Sequence, residues 1–387
     1  MRIYLDNAAT SWPKPDAVYA AMDRYQRELG AAAGRGSYQS SVEAQRIVSE
    51  TRASCARLLG VGDARQLIFT ANGTSALNLA IHGLLRPGDH VVTTVCEHNS
   101  VLRPLSWQSE QSNVAVTHVG CNSAGLVDPA AIADAITPST KLVAITHASN
   151  VTGAIQPVEE VAKIAHSANA LILVDAAQTA GCVPIDAVAL DIDLLACGGH
   201  KGLLGPLGTG LLYIRAGLEQ QISAITQGGT GSDSLPTTQP AQLPEKFEAG
   251  NLNVPAIAGL GAAIQWIEQR TVENIHEHHH ELACRLIERL DPLTNVKIVG
   301  PTTEQPRLGV VSCSIDGYDP QEFATAVDLI GGVECRAGLH CAPKMHAALG
   351  TDTSGGLVRF SPGWSTTIDD VDSAVAAIAA VAENVPT

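Results

Sequence analysis

The sequence predicts an α/β protein with a large domain on a seven-stranded, mainly parallel sheet and a smaller α+β domain. Three observations lead there. Between about residues 60 and 215, short apolar runs alternate with stretches of helical character, as in a sheet covered on both faces. Runs such as Leu194-Leu195-Ala196 read as buried strands. After residue 226 that rhythm stops, and long helices and short strands of a different order follow.

Taken in order, strands are expected at 67–70, 90–95, 115–119, 142–147, 170–175, 193–197 and 210–214. Asp128-Pro129 followed by an alanine-rich run reads as a capped helix with proline at its first position. The segment 226–255 is glycine-rich at Gln227-Gly228-Gly229-Thr230-Gly231-Ser232 and carries prolines at 236, 240, 244 and 255. An irregular stretch of that length is expected to be functional or packed on another subunit. Helices are expected at 256–269 and 271–290, with strands near 297–299, 310–315 and 357–360. Residues 15–255 are expected to form the large domain, and 1–14 with 256–387 the small one.

Composition narrows the function. The chain has 387 residues, 45% hydrophobic and 16% charged, which is globular and large enough for more than one domain. Its net charge of −15 argues against nucleic acid as the main partner, since no cation excess exists to neutralise phosphates. A small anionic ligand needs only local positive charge. No apolar run approaches the ~20 residues of a membrane span, and Met1-Arg2-Ile3-Tyr4-Leu5-Asp6 reads as a strand rather than a signal peptide. The nine cysteines are odd in number and none has CxxC spacing, so most are expected as buried small hydrophobes in a reducing cytoplasm.

The chemistry concentrates at strand ends. Cys197-Gly198-Gly199-His200-Lys201-Gly202 puts a lysine between glycines at the carboxyl edge of a strand, where open α/β sheets bind ligands. The run Leu171-Ile172-Leu173-Val174 ends in Asp175. A strand-end lysine and a strand-end aspartate are what a pyridoxal phosphate (PLP) enzyme needs, one for the Schiff base and one to keep the ring nitrogen protonated. Gln178 is placed to reach the phenolic oxygen, and His200 to donate to the phosphate. Gly73 and Thr74, in Asn72-Gly73-Thr74-Ser75, open a helix and offer N–H groups to a phosphate, or act as an ordinary cap. His98 follows a strand and could lie over the ring and move protons, or could be a plain capping residue.

Two groups concern a substrate. Asn150 offers an amide toward cofactor or carboxylate. Arg359, inside the apolar run Val358-Arg359-Phe360, wants a carboxylate partner, either on a substrate or on an internal acid. Cys341 lies on a Gly/Pro-bounded loop beside His340 and five residues after Arg336, a positive setting that favours the thiolate. The tract from His276 to His280 looks metal-like, but His279 shares a stripe with Val272, Ile275, Leu282 and Leu286 and reads as a packed helix residue, so no metal is expected.

Together these segments resemble the class V aminotransferase family, of PLP fold type I, and within it the cysteine desulfurases and selenocysteine lyases. Tyr4–Thr10, containing Ala8, is similar to the family's substrate-pocket strand. Glu97-His98-Asn99, Ser149-Asn150, Asp175-Ala176-Ala177-Gln178 and Gly199-His200-Lys201 are similar to its cofactor motifs. Phe247-Glu248-Ala249-Gly250 resembles the segment that reaches a neighbouring subunit's phosphate, which implies a homodimer with Gly229 and Asn251 across the boundary. The resemblance implies Lys201, His98 and Cys341 as catalytic residues, and Ala8, Asn150, Arg336 and Arg359 around the substrate. L-cysteine or selenocysteine is the implied substrate, and a sulfur-acceptor protein the implied partner. Plain transamination needs no thiol, and an idle scaffold needs neither Lys201 nor Asp175. Two positions depart from the family: Gly198 stands where serine or threonine is usual, and Asn251 where threonine is common.

Overall fold

A computed structural model describes residues 2–34, 36–232 and 235–383. The chain begins with β1 (Ile3–Tyr4), α1 (Asp16–Arg24), α2 (Gln39–Leu58), β2 (Leu67–Thr70) and α3 (Gly73–Leu84). Then come β3 (His90–Thr94), α4 (Asn99–Ser112), β4 (Ala115–Val119), α5 (Pro129–Ala135), β5 (Thr140–Thr146) and α6 (Val158–Ser167). Strands β6 (Leu171–Asp175), β7 (Leu194–Gly198) and β8 (Gly210–Ile214) close this part. After the irregular segment follow α7 (Val254–Arg270), α8 (Val272–Leu290), β9 (Val296–Val299), β10 (Val311–Ile315) and α9 (Pro320–Gly331). The last elements are β11 (Val333–Glu334), β12 (Arg336–Gly338), α10 (Pro343–Leu349), β13 (Leu357–Phe360) and α11 (Ile368–Ala382).

The expected sheet is present. Its seven strands run in the order β2-β8-β7-β6-β5-β3-β4, and only β8 is antiparallel to its neighbours. Strands β3, β7 and β8 are buried along their whole length, as helices on both faces require. Edge strand β4 instead alternates exposed and half-buried residues. Helix α5 starts as the sequence indicated, with Pro129 in its first turn and Asp128 accepting from the Ala130 N–H at 2.9 Å.

A second sheet, β12-β13-β10-β9, is antiparallel, and β1 pairs with β11 in parallel. Strands β11 and β12 were not expected. They span two and three residues, include Gly338 at φ +104°, and carry no apolar alternation. Only pairing with β1 and β13 makes them strands.

Besides the cluster that packs α3 and α4 on the big sheet through Leu77, Ile81 and Leu105, two large cores follow from this. One lies between the big sheet and the helices on one face, and includes Ile257, Leu260, Ile264 and Ile267 of α7. The other joins Ile3 and Leu5 to Leu282 and Leu286 of α8, Phe323 of α9, Val358 and Phe360 of β13, and Ile378 of α11. Helix α7 thus packs with the large sheet, and α8 with the small one.

The irregular segment is anchored. Glu248 is buried and pairs with Arg52 of α2 through two contacts, at 2.6 and 2.8 Å. It also accepts from the Phe69 N–H at 2.6 Å, while Arg52 donates to the Leu67 carbonyl and lies over the Phe69 ring. A charge pair withdrawn from water survives only when its remaining donors and acceptors are satisfied, as they are here.

Candidate active site

The carboxyl ends of β3, β5, β6 and β7 and the start of α3 surround a cavity of about 220 Å³. Ala8, Gly73, Thr74, His98, Asn150, Asp175, Gln178, His200, Lys201, Arg336 and Arg359 all line it. Strand ends of the large sheet put Asp175, and the turns just after them His98, Asn150, His200 and Lys201, over the sheet edge, while Ala8 comes from the N-terminal turn and Arg336 and Arg359 from the small sheet. Gly73 is needed for closeness: a Cβ there would lie 3.1 Å from the Gly198 nitrogen. A Cβ on Gly199 would lie 2.2 Å from the Thr209 hydroxyl, so the turn before Lys201 also has no room for a side chain.

Lys201 lies on the cavity wall. The residue is half-buried, and desolvation of its amine pushes its pKa down to about 8; Asp175 opposes the shift, while Arg359 and Arg336 add to it. Asp175 ends β6 and accepts from the Ala177 N–H at 2.9 Å. Burial raises its pKa, and the Ala177 N–H and Lys201 pull it back. Gln178 donates to the Ala8 carbonyl at 3.1 Å, which ties the N-terminal segment to the cavity wall.

His98 both caps α4 and faces the cavity. The Ser100 N–H donates to its Nδ1 at 3.0 Å, which leaves the proton on Nε2. Burial, with help from Lys201 and nearby arginines, lowers its pKa to about 4, so the ring is neutral at pH 7. Ser100 Oγ lies 2.9 Å from that Nδ1 and 2.7 Å from Thr74 Oγ1. His200 is likewise held neutral, its pKa lowered to about 4 by burial and by Lys201 and Lys14. Its Nδ1 is buried without a hydrogen-bond partner among the described residues, which costs free energy while it stays unpaired.

Of the two partners open to Arg359, the internal acid is present. Its Nη2 pairs with Asp6 at 2.7 Å, and its Nη1 donates to the Asn150 carbonyl at 3.1 Å. Its buried Nε has no hydrogen-bond partner among the described residues. Asn150 donates through Nδ2 to the His340 carbonyl at 2.7 Å, joining this wall to the cysteine loop. Cys341 is half-buried and does not line the cavity itself. Arg336, which does, donates to its Sγ at 3.7 Å. His340 and Cys341 both take left-handed backbone angles, φ +48° and +58°, and the Asn99 N–H fastens the turn at the Cys341 carbonyl, 2.7 Å away.

Two expected residues lie elsewhere in the chain. Asn251 lines a separate cavity of about 470 Å³ with Phe247, Glu248 and Ser75. Gly229 accepts from the Gly250 N–H at 2.8 Å within the same irregular segment. His279 is buried on α8, as its stripe indicated, and burial drops its pKa to about 3. Several contributing residues carried no sequence signal of their role: Asp6, Lys14, Ser100 and Ser361, whose hydroxyl accepts from the Ala8 N–H at 3.0 Å. Glu97 stood inside a noted motif without a role. It is fully buried, accepts from Thr94 Oγ1 and the Thr146 N–H, and burial raises its pKa to about 8. It is therefore a neutral acid clamping β3 to β5.

With fold and site in view, the class can be stated: residues 3–374 match the class-V aminotransferase family, and this chain belongs to it. It is 34% identical over 375 residues to a probable cysteine desulfurase of Methanothermobacter thermautotrophicus, covering 95% of this chain and 92% of that protein. It is 32% identical to a cysteine desulfurase of Haloferax volcanii, over 98% of this chain and 89% of the relative. Among solved structures, an apo cysteine desulfurase from Thermococcus onnurineus NA1 superposes with a TM-score of 0.92 at 34% identity, covering 99% of this chain and 95% of the other. One from Escherichia coli gives a TM-score of 0.89 at 28% identity, over 99% of this chain and 95% of the other.

Proposed function

We propose that this protein is a PLP-dependent cysteine desulfurase that moves the sulfur of L-cysteine onto Cys341 and releases L-alanine. One observation carries the reading: a desolvated, easily deprotonated lysine faces a buried aspartate, with a cysteine joined to the same cavity by Arg336. The residues fit the cofactor. Lys201 suits its aldehyde, Asp175 its ring nitrogen, His98 its ring face and Gln178 its phenolic oxygen. Thr74, the N-terminus of α3 and the unpartnered Nδ1 of His200 suit its phosphate. Gly198 contributes no hydroxyl there, and Asn251 can still donate through its amide. When bound, PLP supplies a sink for the electron pair released at the substrate α-carbon.

The chain's own groups do the rest. The free Nε edge of Arg359 and the Asn150 wall hold the substrate carboxylate. The Lys201 amine, neutral above pH about 8, takes and returns protons, with His98 Nε2–H as a second donor. The Cys341 sulfur, which accepts from Arg336, bonds to the substrate sulfur as the substrate's C–S bond breaks. The atoms balance: cysteine plus thiol gives alanine plus persulfide. A sulfur-acceptor protein then takes the outer sulfur.

The assembly we infer is a homodimer in which Gly229 and Asn251 complete the partner's cofactor site, since within one chain they lie apart from Lys201. The expected boundary at 255 leaves out α7, which shares the larger core, so we propose a domain seam after Arg270. A reducing cytoplasm suits nine free thiols. Incubation with cysteine, selenocysteine and cysteine sulfinate, followed by alanine assay and mass analysis of the Cys341 peptide, tests the function. Alanine release from cysteine without a sulfur adduct on that peptide rejects the persulfide step.

A further inference from the structure

Four donors converge on one backbone oxygen, the carbonyl of His200. They are the Ser11 N–H at 3.0 Å, Thr10 Oγ1 at 3.1 Å, Ser11 Oγ at 3.2 Å and Lys14 Nζ at 2.8 Å. A carbonyl oxygen offers two lone pairs, so the donors compete, and the charged, shortest one dominates. Lys14 also donates to Ser11 Oγ at 2.7 Å. It is not a surface lysine. Burial alone lowers its pKa to about 8, and no carboxylate pairs with it among the described residues. Holding a cation out of water without an acid is costly, so the position is not explained by solubility or by an ion pair.

The carbonyl concerned belongs to the peptide that joins His200 to Lys201. The orientation of that plane sets where both side chains leave the backbone. One is the amine proposed to carry the cofactor, the other the imidazole proposed for its phosphate. Gly199 and Gly202 flank the pair and give the turn little stiffness of its own. Backbone bonds hold either side of it, from the Gly199 N–H to the Thr209 carbonyl and from the Leu204 N–H to the Lys201 carbonyl, both at 2.9 Å, while the His200 oxygen itself is held by a segment nearly two hundred residues earlier in the chain, 186 positions away at Lys14.

We propose that Lys14 is a positioning residue for the cofactor-bearing turn. Its ammonium pins the His200 carbonyl, so that Lys201 faces Asp175 and His200 faces the start of α3. Its charge also helps keep His200 neutral. The inference rests on the PLP reading of the cavity.

The test uses the full-length protein and the variants Lys14→Met, Lys14→Gln and Lys14→Arg. Three quantities are read: the PLP dissociation constant by fluorescence titration of the apo form, the pH midpoint of the bound cofactor's visible band, and the melting temperature of the apo form. Lys14→Met should weaken PLP binding about tenfold or more, the worth of one charge-assisted hydrogen bond, and shift the band's midpoint. Lys14→Gln, which keeps a donor without the charge, should fall between, and Lys14→Arg should recover most of the affinity. Should the methionine variant not fold, the glutamine variant decides. A lowered melting temperature with unchanged affinity and midpoint makes Lys14 merely structural and overturns the proposal. Absence of any borohydride-fixed pyridoxyl group on Lys201 of the unaltered protein overturns the cofactor reading instead.

Discussion

Replacing Glu248 by glutamine tests whether the buried pair with Arg52 secures the segment that carries Asn251. The side chains of Arg52 and Glu248 are 9% and 6% exposed, so water cannot rescue either charge. Glutamine keeps the size and leaves an oxygen for the Phe69 N–H. It removes the negative charge and turns the oxygen that faces Arg52 Nη2 into an amide donor, so that Nη2 loses its acceptor while Nη1 keeps the Leu67 carbonyl and the remaining amide oxygen. Leaving one member of a buried pair uncompensated costs about 3–5 kcal/mol, whereas removing both and filling the space with apolar atoms is often close to neutral. Urea unfolding of the apo protein should therefore show a loss of about 3 kcal/mol or more for Glu248→Gln. The double variant Arg52→Met with Glu248→Gln should recover much of it. A single-variant loss below about 1 kcal/mol, or strictly additive losses in the double variant, refutes the argument. If Asn251 serves a partner's cofactor site as proposed, the same variant should also retain PLP more weakly, because the anchor of Asn251 is loosened.

Other outcomes follow from the same geometry. Cys341→Ser should keep the bound cofactor's visible band and abolish persulfide formation, as mass analysis of the 336–343 peptide reads directly. Lys201 in the folded apo form titrates at about 8, below the ~10.4 of an unfolded lysine. Between those pH values the unfolded chain binds more protons, so its contribution makes the apo protein more stable as pH rises. Lys201→Met should flatten that part of the stability–pH curve, and an unaltered slope contradicts the burial argument. Glu97 shifts the other way: its carboxyl, raised to about 8, stays protonated when folded and ionises near ~4.3 when unfolded. Its contribution to stability is present in acid and is lost as pH climbs from the unfolded value toward 8. Glu97→Gln mimics the protonated acid, so its stability relative to the parent should rise over that range, as denaturation at pH 5 and pH 8 would reveal.

Much of the fold was readable because its signals are local. Leu171-Ile172-Leu173-Val174 and Gly210-Leu211-Leu212-Tyr213 are apolar runs of strand length, and each forms a buried strand. The lysine, aspartate and histidine of the cavity were legible too, since each directly follows such a run. Short strands β11 and β12 were not, because pairing alone defines them. The boundary at 255 followed a change of composition, while packing puts α7 with the earlier helices.

What the amino-acid order determined alone was the inventory: which chemistry-bearing side chains end strands, and that glycines leave room around the lysine. Tertiary structure decided how those side chains are held. Arg359 was open to an internal acid or a substrate, and only folding brings Asp6, 353 positions away in the chain, to one face of its guanidinium while leaving Nε free. The His200 carbonyl gives no sequence signal at all, and it gathers four donors only when the N-terminal segment crosses it. Periodicity is written in neighbouring residues, but desolvation and hydrogen-bond partnership depend on what distant segments bring, and those two set the charge states on which the site runs.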